Sequence, residues 1–413
     1  MAAAAAEETA GRLGSALQVL EGALGRSPGQ PKLLNAIGLN RLAARDPSAA
    51  AATFRQAVAL DPAAAPLWLN LATAQRLLGD AEGQLESLER SLVIDPYLLP
   101  ALVQKAQLLE QSGDRRALAT YGAVLNIVGD NTQIPPGLAD VLRHARRYIA
   151  ADQARLAQSL SISLRDLRGQ VADAAASRFD HCVDVVLGRR RVFYPQPTGL
   201  LYPGLPVAEF FARDMVPWLD RLEAATAMII DEFRALIDQG AADFVPYVDI
   251  APGIPTNQWE DLNRSPEWSA FFLWKDGERQ AGACARCPAT AAVLDALPML
   301  DLPGRGPAAF FSILRAGAHI PPHTGVSNVR AVVHLPLIVP PDCGFRVGAS
   351  TVQWRPGKAF AFDDTIDHEA WNRSDRDRAI LILDIWNPYL SDTERALIAA
   401  LTAALDAHAM RAV

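Results

Sequence analysis

Pro321-Pro322-His323-Thr324-Gly325 opens the stretch on which the reading of this chain turns, and that stretch runs on to Asn387. Four of the seven histidines (His319, His323, His334, His368) fall within fifty residues here. They are interleaved with short apolar runs of strand character at 310–314, 331–339, 359–362 and 379–386. Imidazoles concentrated on a β scaffold suggest a metal, because neutral imidazole is the commonest protein ligand for mid-row divalent ions.

The rest of the composition narrows the setting. At 413 residues the chain exceeds one ordinary core, so two or three domains are expected. A net charge of −7 and a pI near 5.6 argue against bulk nucleic-acid binding, which favours a basic face. Arg189-Arg190-Arg191 is the one tight basic run and reads as a solvated loop or helix end. The N-terminus, Met1 then five alanines and two glutamates, lacks the basic and apolar regions of a signal peptide. No apolar run approaches the ~18 residues that cross a bilayer. Four cysteines do not make a disulfide framework, and Cys284-Ala285-Arg286-Cys287 lacks the second pair a zinc knuckle needs. The expectation is a soluble, reduced, cytoplasmic protein with no nucleic-acid or membrane partner.

The first third repeats. Pro28, Pro62 and Pro96 are spaced at 34 and each follows an amphipathic segment. That period, with proline closing each unit, resembles the tetratricopeptide repeat. Gly38, Ala50, Phe54, Ala57 and Pro62 match the pattern in one unit; Trp68, Leu71, Ala72 and Pro96 match in the next, where Gln84 takes a place usually held by alanine. A further unit, from about Leu99 to Asp130, is degenerate at Leu118 and Leu125, as terminal units are. Residues 1–130 are therefore expected to form an all-α solenoid. Two readings of its purpose stand side by side: a groove that holds a peptide or protein substrate, and a spacer or dimerisation arm.

A helical connector is expected over 131–192, because Leu138, Val141, Leu142, Ala145, Tyr148 and Ile149 recur at helical spacing. The composition changes between about Arg190 and Leu200, so the next domain is taken as 193–413. Within it, 208–239 reads as amphipathic helix and 392–408 as a covering helix. The stretch 244–274 carries Tyr247, Trp259, Trp268, Phe271, Phe272 and Trp274, which are core by default and otherwise the wall of a pocket.

Two histidines from different strands plus one carboxylate are the ligand set of many non-haem iron oxygenases on jelly-rolls of the cupin type, with HxD or HxE supplying the first pair. Here Gly325 offers no side chain to a metal. The distal element is Phe362-Asp363-Asp364-Thr365-Ile366-Asp367-His368-Glu369-Ala370-Trp371-Asn372. The three aspartates, in a turn leading into a strand, read as formers of side-chain-to-backbone bonds.

Pro322-His323-Thr324-Gly325-Val326-Ser327-Asn328, then His334-Leu335-Pro336, the distal element above, and Leu383-Asp384-Ile385-Trp386-Asn387-Pro388 together resemble the aspartyl/asparaginyl β-hydroxylase family. So does Leu201-Tyr202-Pro203-Gly204-Leu205-Pro206 at the domain entry. HxG in place of HxD is a mark of that family, which also commonly carries tetratricopeptide repeats ahead of the oxygenase domain. The resemblance implies a double-stranded β-helix (jelly-roll) after the solenoid, an α+β multidomain chain. It implies a dioxygenase that uses Fe(II), 2-oxoglutarate and O2 to hydroxylate the β-carbon of an aspartyl or asparaginyl residue. By the same carry-over His323 and His368 are the iron ligands, Arg378 pairs with the distal carboxylate of 2-oxoglutarate, and Ser312 contacts the cosubstrate. His334 lies near its metal-bound end, and His319 is incidental.

Two departures stand out. Animal members carry arginine at the positions of Arg330 and Val332; only Arg330 is present, and it shares a strand face with 332 and 334, so it is expected to substitute in part. Those members also have glutamine at the place of Ala270, which leaves the substrate open: a free amino acid, a small peptide or a lipid acyl chain are alternatives. Chlorination at the vacant ligand position and a repeat scaffold with a retired oxygenase domain are the rival readings; intact His323, His368 and Arg378 speak against retirement.

Overall fold

Proline sets the helix starts of the first third. A proline at the first turn lacks only an N–H that would have no partner there, and its fixed φ already suits the helix. After α1 (Ala2–Thr9) and α2 (Leu13–Arg26), the helices α3 (Pro31–Ala43), α5 (Ala65–Leu78) and α7 (Leu99–Gln111) begin 34 residues apart. Their partners α4 (Pro47–Leu60), α6 (Ala81–Ile94) and α8 (Arg116–Val128) begin 34 and 35 apart. Asp46 and Asp80 cap α4 and α6, their carboxylates accepting from the Ala49 and Gly83 amides. Small residues bring each helix pair together: a Cβ at Gly38 would lie 2.5 Å from the Phe54 ring, and Ala50 and Ala57 are fully buried. Gln84, the misfit by pattern, is also buried.

The computed structural model describes residues 2–129, 135–170, 173–240, 244–302 and 304–411, and the chain divides into two compact units, Met1–Phe179 and Asp180–Val413. Asp130, the expected end of the last repeat, lies outside the described residues. The long α9 (Pro136–Arg168) carries the first unit one helix further, because its Leu142 packs with Leu102 and Val124, and its Ala145 with Ala106 and Tyr121. The division between units falls inside the helix Asp173–Val186, ahead of the 190–200 boundary read from composition. Among the described residues no helix is long and apolar enough to cross a membrane.

The second unit is rich in sheet. Its strands are β1 (Val245–Pro246), β2 (Trp268–Lys275), β3 (Glu278–Arg279), β4 (Ala309–Leu314), β5 (His319–His323), β6 (Arg330–Ile338), β7 (Cys343–Val347), β8 (Ser350–Val352), β9 (Phe360–Phe362), β10 (His368–Asn372) and β11 (Arg378–Trp386). Seven make one sheet, ordered β1-β2-β4-β11-β6-β9 with β3 beside β2; four make a second, ordered β5-β10-β7-β8. Helices Thr226–Asp238 and Pro288–Asp295 cover the outer face of the larger sheet, and its inner face shares a core with the smaller one. The larger sheet is thus buried on both sides, which is why β11 is apolar almost without alternation. Its Ile380 and Ile382 point to the inner core, while Ala379, Leu381 and Leu383 point to the helices.

The same two-residue period sorts the aromatics of 244–274. Trp268 and Phe272 face the inner core; Phe271 faces the helices, and a bulge after Phe272 sends Trp274 there too.

Candidate active site

β5 can hold Pro321 and Pro322 because it is an edge strand, where a missing N–H breaks no ladder bond. It pairs antiparallel with β10 so that His323 stands directly opposite His368, with ring centroids 4.0 Å apart. Each ring is fixed in the same way. His323 Nδ1–H donates to the Pro321 carbonyl (2.8 Å), and His368 Nδ1–H to the Ile366 carbonyl (3.0 Å). A carbonyl can only accept, so the proton sits on Nδ1 and both Nε2 lone pairs are left for a ligand. Burial, and for His323 the neighbouring His368, pushes the pair down to about 3 and about 4, so both are neutral at pH 7.

That depression has a consequence for stability. Both groups lie at 6.5 when unperturbed, so as pH falls the unfolded chain takes up protons first. The stability is fully present above about 6.5 and is lost progressively toward about 3. We expect the melting temperature of the metal-free protein to fall over that window, and a His323→Gln, His368→Gln double variant to fall less steeply. Parallel curves would refute the neutral pair.

Both imidazoles line a cavity of about 360 Å³ between the sheets. Among the described residues no group of three or more His, Cys, Asp or Glu is arranged to hold a metal ion. The space where a side chain at 325 would lie is filled by the Asp364 carboxylate.

Arg378, Ser312, His334 and Arg330 all reach the same cavity. Arg378 is 1% exposed, its Nε has no partner, and no carboxylate lies within ion-pair distance among the described residues. Its guanidinium rests 5.4 Å from the centre of the Trp354 ring, and burial drags it down to about 10. His334 is buried with Nδ1 unpartnered; burial and then Arg378 hold it well below its ordinary value. Ser312 Oγ accepts from Trp268 Nε1 (3.1 Å). Arg330, Val332 and His334 share the inward face of β6. Arg330 pairs with Asp364 and, at 3.4 Å, with Asp384, while its Nε has no partner.

The aspartates of the distal element divide. Asp363 caps its own turn, accepting from the Thr365 amide (2.9 Å). Asp364 and Asp367 instead form ion pairs, with Arg330 and Arg346 respectively, which corrects the turn reading for those two. His319 is exposed and bonded to Glu369 (3.0 Å), away from the cavity. The aromatic stretch supplies wall as well as core: Tyr247, Trp259 and Trp268 line the cavity, and Trp259 meets His323 edge-on at 4.9 Å. Trp354 and Asp384 are the residues to which sequence reasoning gave no role: Trp354 lies in no motif, and Asp384, although inside the 383–388 motif, gains its place only from the register of β11 against β6, which sets it opposite Val332.

A sequence profile for the family described as "Aspartyl/Asparaginyl beta-hydroxylase" matches residues 223–388. The human protein of that name is 34% identical over 181 residues, 44% of this chain and 22% of its own length; the mouse protein is 35% identical, over 23% of its length. The match thus spans under a quarter of those relatives. An "Ornithine lipid ester-linked acyl 2-hydroxylase" of Rhizobium tropici is 30% identical over 204 residues, 48% of this chain and 68% of the relative. Among solved structures, a crystal structure of MamA protein aligns at TM-score 0.30 and 15% identity, covering 41% of this chain and 92% of that one.

Proposed function

This chain belongs to the aspartyl/asparaginyl β-hydroxylase family, and on that premise we propose that it is an Fe(II)- and 2-oxoglutarate-dependent dioxygenase with its site between the two sheets. The observation that carries the reading is a pair of neutral imidazoles, locked by Nδ1 with Nε2 open, beside a buried arginine that lacks an anion. The strand distribution supports the jelly-roll: β4, β6, β9 and β11 lie in one sheet, and β5, β7, β8 and β10 in the other.

Fe(II) bound there, with 2-oxoglutarate and O2, supplies the oxidising chemistry that hydroxylates an unactivated C–H bond. The chain's part is placement. His323 and His368 hold the metal without releasing protons. Arg378 takes the distal carboxylate of 2-oxoglutarate with its planar fork, and Trp354 fixes the plane of that fork. Ser312 and His334 contact the rest of the cosubstrate. Trp259 and Trp268 shield His323 from water. The substrate expected from the family is an aspartyl or asparaginyl residue of a peptide or protein, with the repeats as a second holding surface. An acyl chain is a second reading, favoured by the largely apolar wall and by the Rhizobium relative's substrate.

The test is an anaerobic titration with Fe(II) and 2-oxoglutarate, followed by the visible charge-transfer band of the chelate. Arg378→Met should leave Fe(II) binding intact and weaken 2-oxoglutarate about 10- to 150-fold, the worth of a hydrogen-bonded charge. The same change should raise the melting temperature of the cosubstrate-free protein, because an unpaired buried cation is costly and methionine is not. Unchanged cosubstrate affinity would sink the assignment of Arg378.

A further inference from the structure

Two cations line the cavity among its described residues, Arg330 and Arg378. If Arg378 serves the cosubstrate, the charge available to a substrate depends on Arg330. That guanidinium already faces two carboxylates, Asp364 and Asp384, both buried and both lining the cavity. One cation therefore meets two anions, and nothing positive is left over.

The excess anion has a traceable origin. Asp384 on β11 is the cross-strand partner of Val332 on β6, and such partners project to the same side. Position 332 is where the resemblance leads one to expect a second arginine. With valine there, Asp384 turns to Arg330 and to the Ala308 amide (2.9 Å). The adjoining wall is apolar, through Val248, Ile250 and Ala308. At the mouth, Val326 is 56% exposed and Tyr247 40%, so apolar surface continues outward.

We propose that the group this cavity accepts beside the two histidines is uncharged and aliphatic, not an acidic side chain, and that Val332 and Asp384 set that exclusion. This rests on the oxygenase reading above and takes its second substrate reading, an aliphatic chain, over an aspartyl residue. A carboxylate entering here would give up its water with no unpaired side-chain cation to receive it and two carboxylates nearby. An alkyl group loses nothing.

The test uses the full chain loaded with Fe(II) and 2-oxoglutarate under argon. The probes are the N-acetyl methylamides of leucine, asparagine and aspartate, alike in branched shape and different in polarity and charge. Binding is read from the perturbed charge-transfer band and independently by ligand-observed NMR. The expected order is leucine, asparagine, aspartate, with at least tenfold between the first and last. Asp384→Asn should narrow that gap, and Val332→Arg, which adds a cation at the same place, should lift aspartate above leucine. A normal chelate band with any other order, or with no probe bound, overturns this inference alone. No chelate band removes the oxygenase reading and this inference with it.

Discussion

Fe(II) should bind His323→Ala or His368→Ala at least about 100-fold more weakly than the parent chain. The argument is one of scarcity. Outer partners of metal ligands typically cost 10- to 100-fold when lost, and a ligand should cost no less. Among the described residues no third His, Cys, Asp or Glu joins the two imidazoles in a metal-holding group, so on the proposed reading each imidazole is half of the protein's hold on the metal. The two rings are interdependent as well: they face each other at 4.0 Å, each clamped by the backbone carbonyl two residues before it. Removing one leaves a cavity beside the other without changing its tautomer. The reading is direct, by competition against a metal-sensing dye under anaerobic conditions, and needs no substrate. His319→Ala is the control, because that ring is exposed and bonded to Glu369. Parent-like affinity in both variants would remove these residues from the metal site.

How much of this could be read from residues alone differs from feature to feature. The repeats were legible because proline and small residues mark helix starts and close approaches locally, without reference to distant chain. His323, Gly325 and His368 were legible because they sit in short motifs. The ion pairs of Arg330 were not legible because its partners are 34 and 54 residues away, and only the fold places Asp364 and Asp384 against it. The aspartates of the distal turn were read as one kind for the same reason: adjacent positions in a tight turn point in different directions, so Asp363 turns back to Thr365 while Asp364 reaches Arg330. The aromatic stretch needed the phase of β2, which a bulge resets partway along. Composition placed the domain change where prolines and aromatics appear; the division into compact units falls earlier, inside the helix Asp173–Val186, which composition does not mark.

Gly325→Asp, the change that would appear to rebuild the usual two-histidine, one-carboxylate site, should instead damage the protein. A Cβ at this position would overlap the Asp364 carboxylate, with Oδ1 2.6 Å away and Cγ and Oδ2 nearer still. Neither side can retreat easily. The Gly325 amide donates to the Asp364 carbonyl (2.6 Å), and the Asp364 carboxylate is held by Arg330. The glycine is therefore kept for want of space; its φ lies outside the left-handed region, so backbone freedom is not the reason. Overpacking of this kind costs about 1–3 kcal/mol. At roughly 2–4 °C per kcal/mol for a unit of this size, the melting temperature should drop by about 2–12 °C. Gly325→Ala tests the steric part by itself and should show most of the drop, while Gly325→Asp adds repulsion between neighbouring carboxylates. Combining Gly325→Asp with Asp364→Gly should recover much of the loss, since the two changes exchange which position carries the side chain, and a double-mutant cycle measures that coupling. A Gly325→Asp variant that melts like the parent and binds Fe(II) more tightly would show that Asp364 yields the space freely, and the glycine would then need a different explanation.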